Sequence, residues 1–397
     1  MEISRETSFS EIGYPLLIIN GFLIALLFLS IIAALETSSP NLIANCATVF
    51  FIAPTIINGL VGYFLGRKGV KRISELSIVI TVLFLLVGVF LLYDAVMLAY
   101  QGIIRKPKIT HFEIALTIPI ILIIITYIAS EFCEKKIPEI YWRTSRVLGD
   151  RIRGVLSSAG LAIIGPTGAF FGVIKMDPLF ALFTILYSLV ELWRTAEDIK
   201  FILGKERLLS VLRETAERTF KAVPVIHDVK IDSMNVSGRF VIAQISSTVS
   251  KFVEEEYVEA LSSFMLTELI NRLAPIVYLR VVIKLEKPKA LTVAVALGDG
   301  EIVSKFPSKR VIIVTFDAST REIKEEKIIE LKFDEYEKVP EAKAIENLAR
   351  NRVLVLATKD ISEIAKNAAQ NWFIRVIKTE KENLKDVLEE ITQRFLS

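Results

Sequence analysis

Histidine and cysteine are nearly absent from this chain: 397 residues carry two of each, His111, His227, Cys46 and Cys133. Two cysteines cannot build a disulfide framework, and both fall in or beside apolar runs. Neither a Cys/His zinc cluster nor a Ser–His–acid set can be assembled credibly from so few imidazoles. A GxxxxGK phosphate loop is also missing, so no enzyme activity is expected. Charge of one sign is lacking as well. The 48 Lys and Arg against 45 Asp and Glu leave +3, too little and too evenly mixed for a nucleic-acid partner. Scarce Gln, Cys and Met beside abundant Ile, Glu and Lys fit a heat-adapted, thermophile source. The polar start MEISRETSFSEIG precedes an apolar run too long for a signal-peptide core, so no cleavable leader is expected.

What is abundant is apolar sequence, 52% of the chain, concentrated in the first half. Six segments approach the ~20 residues needed to cross ~30 Å of hydrocarbon. They run Pro15–Leu35, Leu42–Leu65, Leu76–Leu98, Phe112–Ala129, Val155–Ile174 and Pro178–Trp193. The fifth carries charges at its start and Gly160, Gly165, Pro166, Gly168 and Gly172, which membrane helices tolerate when neighbours cover the freed backbone. Lys and Arg set the orientation. Arg67, Lys68, Lys71 and Arg72, then Lys135, Lys136, Arg143 and Arg146, then Arg194, Lys200 and Lys205 fall on one side. Arg105, Lys106, Lys108 and Lys175 fall on the other. The majority predicts a multi-pass protein of the cell membrane with both termini in the cytoplasm.

Beyond Lys205 the pattern becomes that of two water-soluble α/β units. Residues 206–286 read as α–β–β–α–β: helix Arg207–Val223, strands His227–Val236 and Arg239–Val249 about a Ser237-Gly238 turn, helix Glu254–Leu273 and strand Ile276–Leu285. Lys287-Pro288-Lys289 is a polar hinge. Residues 290–397 begin with strands Leu291–Leu297, Glu301–Phe306 and Arg310–Asp317, with Gly298-Asp299-Gly300 turning between the first two. Strand Glu325–Leu331, helix Glu341–Ala349, strand Val353–Ala357, helix Ile361–Ala369, strand Phe373–Ile377 and helix Lys381–Phe395 follow. That alternation argues partly parallel strands.

The stretch Ser145–Ser158, SRVLGDRIRGVLSS, carries Asp150, Arg151 and Arg153 towards lipid, where ionisable groups default to functional readings. Asp150 and Gly154 lie four residues apart, on one helix face. The plainer readings are an ion pair of Asp150 with Arg153, a snorkelling Arg151, and helix-packing roles for Asn45 and Thr48. Glu75, Asp94 and Glu191 fall near helix ends and read as partners of nearby basic groups.

The plan resembles the cation diffusion facilitator family. DPLFALFTILYSLVELWR (177–194) is similar to that family's sixth helix, VKRISELSIVITVLFLLVGVFLLYDA (70–95) to its third, and VPVIHDVKIDSMNVSGRFVIAQISSTV (223–249) to the opening strands of its cytoplasmic domain. The resemblance implies a six-helix membrane domain over 1–205, a cytoplasmic dimerisation domain over 206–286, a homodimer, and proton-coupled efflux of a divalent metal cation as substrate, with no resident cofactor. The family's four central ligands, two per helix on helices two and five, align with Thr48 and Ile52 and with Asp150 and Gly154, so one acid of four remains. The cation-path candidates it implies are Asp150, Asn45, Thr48 and Ser157, and the metal candidates Asp150 and His227. Oxygen donors of this kind favour a harder ion than zinc. The tail, 290–397, resembles the dinitrogenase iron–molybdenum cofactor biosynthesis domain, a ribonuclease-H-like α/β module. Here Lys305 replaces that family's His, and with no Cys or His after His227 the tail offers no thiolate or imidazole for a cluster. The alternative reading is a transport-inactive membrane-anchored sensor or scaffold whose C-terminal domain binds a ligand or protein.

Overall fold

The computed structural model describes residues 2–105, 109–221, 223–251, 253, 255–272, 275–298, 301–331 and 339–396. Its first half is a bundle of long helices: α1 (Tyr14–Thr37), α2 (Pro40–Arg67), α3 (Ile73–Ile104), α4 (Phe112–Lys136), α5 (Trp142–Phe170) and α6 (Met176–Leu203). Five helical stretches, Phe9–Thr37, Pro40–Arg67, Ile73–Ile104, Phe112–Lys136 and Met176–Leu203, are long and apolar enough to cross a bilayer. The helix α5 is not among them. It starts at Trp142 rather than at Val155, so its first half carries the charged stretch, yet it packs against α2, α4 and α6. Helix α2 is the bundle's axis, with nearly every residue from Pro40 to Ala53 buried, whereas α3 turns Leu83, Leu86, Phe90 and Tyr93 outward.

A four-stranded sheet follows, with order β1-β4-β3-β2. Strand β1 (Glu2–Glu6) is an element the sequence did not announce. It pairs antiparallel with β4 (Ile276–Glu286), bringing the start of the chain beside residues that come after the whole bundle. The remaining elements follow the expected order: α7 (Lys205–Phe220), β2 (Ile226–Ser237), β3 (Phe240–Ser250), α8 (Glu255–Arg272) and β4. Gly238 opens the two-residue turn between β2 and β3 with φ +60°, the conformation a tight hairpin demands of its first central residue.

A five-stranded sheet completes the chain, with order β7-β6-β5-β8-β9. It comprises β5 (Ala290–Leu297), β6 (Arg310–Asp317), β7 (Ile323–Glu330), β8 (Val355–Thr358) and β9 (Arg375–Lys378), with α9 (Pro340–Arg350), α10 (Glu363–Asn371) and α11 (Leu384–Leu396). The expected parallel strands are β5, β8 and β9; β5, β6 and β7 run antiparallel. The strand expected over Glu301–Phe306 is replaced by single bridges, Leu297 to Val303, Ile302 to Asn383 and Phe306 to Ile361. Residues 299–300 of the expected Gly298-Asp299-Gly300 turn lie outside the described residues, as do Glu254 and Leu273.

The first sheet docks on the end of α2. Gly59, Gly62 and Gly66 form a strip one face wide, and a side chain there would collide with Phe240, Ile242 or Tyr278. The hairpin tip enters between α2 and α3. Ser237 Oγ donates to Asn58 O (2.7 Å), Val236 N to Ser74 Oγ (3.1 Å) and Gly238 N to Ser77 Oγ (2.8 Å). Phe240, fully buried against Gly59, is the wedge of this joint. Phe240→Ala should cost about 3–5 kcal/mol. Thermal unfolding of the full chain in detergent micelles checks this, and an unchanged midpoint would show that the ring carries no load.

Candidate functional site

Helix α6 presents one polar face to the bundle. Asp177, Ala181, Thr184, Ser188, Glu191, Thr195 and Asp198 follow each other at alternating spacings of four and three, and all are buried. That spacing draws a single stripe along a helix. Asp177 and Asp198 lie 21 residues apart, or about 32 Å of helix rise, close to the ~30 Å hydrocarbon thickness.

Partners on α2 and α5 satisfy this stripe rung by rung. Ser39, which caps α2, donates to both oxygens of Asp177 (2.9 and 3.0 Å). Thr184 donates to Asn41 Oδ1 (2.6 Å), while Asn41 Nδ2 donates to the carbonyl of Leu161 on α5 (3.1 Å). Gly165 leaves the space in which Asn41 and Asp177 meet. Ser188 and Thr48 share a hydrogen bond of 2.6 Å, and Ser158 donates to Asn45 Oδ1 (2.7 Å). Thr195 donates to the carbonyl of Phe51 (2.6 Å) and Thr55 to Asp198 Oδ2 (2.6 Å).

At the end of the seam nearest the first sheet sits a buried ionic cluster. Arg151 is 5% exposed, and Glu191 and Asp198 are at most 1% exposed. Its Nη1 lies 3.0 Å from Glu191 Oε2, and its Nη2 lies 3.0 Å from Asp198 and from the carbonyl of Arg194. Arg194 holds the other oxygen of Glu191 at 2.6 Å. Arg239, from the hairpin turn, reaches Asp198 at 2.5 Å and Glu197 at 3.1 Å. Three guanidinium groups thus meet three carboxylates. A charge withdrawn from water persists only when paired and hydrogen-bonded in this way.

The residues singled out by sequence are not brought to one point. Asn45 and Thr48 join the seam as interhelix hydrogen-bond partners. Asp150 lies on the outward face of α5 with its side chain 58% exposed, 3.8 Å from both Arg146 and Arg153. Arg153 also pairs with Glu134. Ser157 is exposed and donates to the carbonyl of Arg153. Gly154 faces Ile52 at the positions where the resemblance places a ligand pair, so that contact is apolar, with Glu191 and Tyr187 beside it. Among the described residues, neither Glu75 nor Asp94 has an ion-pair partner, and no three His, Cys, Asp or Glu groups converge as a metal site requires. His227 sits on β2, far along the chain from the bundle; burial and the nearby Arg352 hold its pKa below the usual imidazole value.

Sequence reasoning read Glu191 as a helix-end group with basic partners, which is its pairing, but missed its depth in the bundle. It passed over Asp198 and Thr195. The signal was available as polar residues recurring every seven positions, at 177, 184, 191 and 198.

No family model matches this chain, and no curated protein matches it. Solved structures do: 41 chains match, and one described as "Crystal structure of PH0822" shares 17% identity over 26% of this chain and 92% of its own, with a TM-score of 0.23, too low to speak to fold or function.

Truncating Arg151 leaves Glu191 with Arg194 and Asp198 with Arg239 as single guanidinium partners, so Arg151→Met should destabilise by up to about 3 kcal/mol. Adding Glu191→Gln and Asp198→Asn should recover most of that loss. Unfolding midpoints in micelles test both, and an additive triple variant would refute the coupling.

Proposed function

We propose that the chain is a multi-pass membrane transporter of divalent cations built on the cation diffusion facilitator plan, with the α2–α5–α6 seam as its path. The observation that carries this reading is the polar stripe of α6, buried along its length and as long as a bilayer core is thick. Lipid-buried polar groups are costly and mark ion or proton paths. Glu191 and Asp198 are then the charge-bearing groups, and Arg151 is the resident cation that an arriving ion displaces. Arg does not deprotonate in proteins, so the proton moving in exchange is carried by the carboxylates. Carboxylate, hydroxyl and amide oxygens along the seam favour a hard ion such as Mg²⁺ or Mn²⁺ over zinc. Asp150 lies not in the seam but in a cleft of about 500 Å³ at its mouth, among Arg151, Arg153, Arg194, Glu197 and Arg239, where four guanidinium groups oppose an incoming cation, so it takes no part in the path.

The pairing of β1 with β4 supports six crossings. The strand before the bundle and the strand after it share one sheet, and so one side of the membrane, which an odd number of spans cannot deliver. On this reading α5 is the remaining span, with its one buried charge, Arg151, taken up by Glu191 and Asp198 of α6, and the positive loops set both termini in the cytoplasm. A homodimer and no catalytic activity complete the proposal. A second reading, a transport-inactive sensor or scaffold, is favoured by the neutrality of the cluster: three guanidinium groups leave no free negative charge for a metal.

Flux into proteoliposomes of Mg²⁺, Mn²⁺, Fe²⁺ and Zn²⁺, read with a pH-sensitive dye inside, separates the two. Transport of a hard ion should fall at least about tenfold in Glu191→Gln, a rise of ~1.4 kcal/mol in the barrier, and only a few-fold in Asp150→Ala. Sealed vesicles that pass none of the four ions would remove the transporter reading and leave the sensor.

A further inference from the structure

Between the two sheets lies a cavity of about 410 Å³ that neither the seam nor the ionic cluster uses. Pro224, Pro288, Ala290 and Leu354 give it an apolar lining. Its rim is basic, with His227 from β2, Lys287 and Lys289 from the β4–β5 connection, and Arg352 from the turn between α9 and β8; Glu286 is the one acid among the lining residues. The exposed side chains of Lys287 and Lys289 make no ion pair with any described residue, although Glu286 lines the same cavity.

Arg352 is held in place by both halves of the joint. Its backbone adopts φ +59°, a region that residues with side chains seldom occupy. Its guanidinium crosses to the other unit and donates to the carbonyls of Ile226 (3.2 Å) and Lys221 (2.9 Å). Two of its five donor hydrogens are thereby committed, and the rest remain for a ligand. The volume lies in the range of small-molecule pockets, and an apolar lining with convergent polar groups is their usual construction.

We propose that this junction is a binding site for a small organic phosphate, whose anionic end is held by Arg352, Lys287 and Lys289 and whose body rests on Pro224, Pro288 and Leu354. A guanidinium fork matches phosphate oxygens, and two mobile ammonium groups supply the remaining charge. The same surroundings make His227 a poor metal ligand, since three permanent cations face any ion it would bind. Because Arg352 already ties the C-terminal unit to the first sheet, and that sheet delivers Arg239 to Asp198, an occupied site stiffens the connection between the tail and the buried cluster. The binding claim rests only on the cavity and is independent of transport.

The test is calorimetric titration of the full chain in micelles with AMP and, separately, inorganic pyrophosphate. One-site, saturable binding of either probe is expected, weakened at least tenfold in the double variant Lys287→Gln, Lys289→Gln. Both lysines are exposed and without an ion pair among the described residues, so that variant should keep its unfolding midpoint. The control Lys381→Gln, Lys385→Gln, at the opposite end of β5, should bind as the parent does. No saturation with either probe up to about 10 mM, an equal loss in the control pair, or stoichiometric Zn²⁺ binding at His227 in place of the anions would each overturn the proposal.

Discussion

The arrangement of the helical half depends on one guanidinium. Arg151 is buried on α5, where a cation survives only because Glu191 and Asp198 on α6 stand opposite it. That requirement fixes the rotation of α5 and α6 about their axes. It also pulls in the hairpin, because Asp198 accepts from Arg151, Thr55 and Arg239, which come from α5, α2 and the first sheet. The bundle and the sheet are therefore joined by charge as well as by the wedge at Phe240. Hydrogen bonds between membrane helices contribute only about 0.6 kcal/mol each on average. The rungs along α6 thus align the helices, and the ionic cluster sets which alignment is allowed.

Much of the fold was legible in the sequence because it follows from periodicity. Long apolar runs declared five of the six helices, and the alternation of α and β after Lys205 declared the order of elements in both sheets. Three features escaped for different physical reasons. Strand β1 is five residues long and borrows its stability from β4, a partner that local pattern cannot show. Residues Glu301–Phe306 have strand-like composition, but only isolated bridges hold them, and tertiary context overrode propensity there. The start of α5 was hidden because its charges interrupt the apolar run, whereas here Arg151 is answered by Glu191 and Asp198 on α6 and Arg153 by Glu134 on α4.

The site was less legible than the fold. Asp150 drew attention as an acid beside lipid, yet one helical position decides between exposure and burial: Asp150 points outward and Arg151 points in. Asn45 and Thr48 are buried, and their observed contacts are helix-packing hydrogen bonds to Ser158 and Ser188. The stripe on α6 could have been found by reading polar residues at the helical period in an apolar segment, the inverse of the usual search for apolar residues in a polar one.

The first strand has a bearing on assembly in time. Glu2 pairs with Lys284, so β1 must wait for a strand made about 280 residues later before it finds its place. Until then β1 has no strand to pair with while the six long helices are made. Closing that sheet is a late, long-range event, of the kind that slows maturation. The strand acts as a latch that can shut only once the whole helical half and β4 have been made.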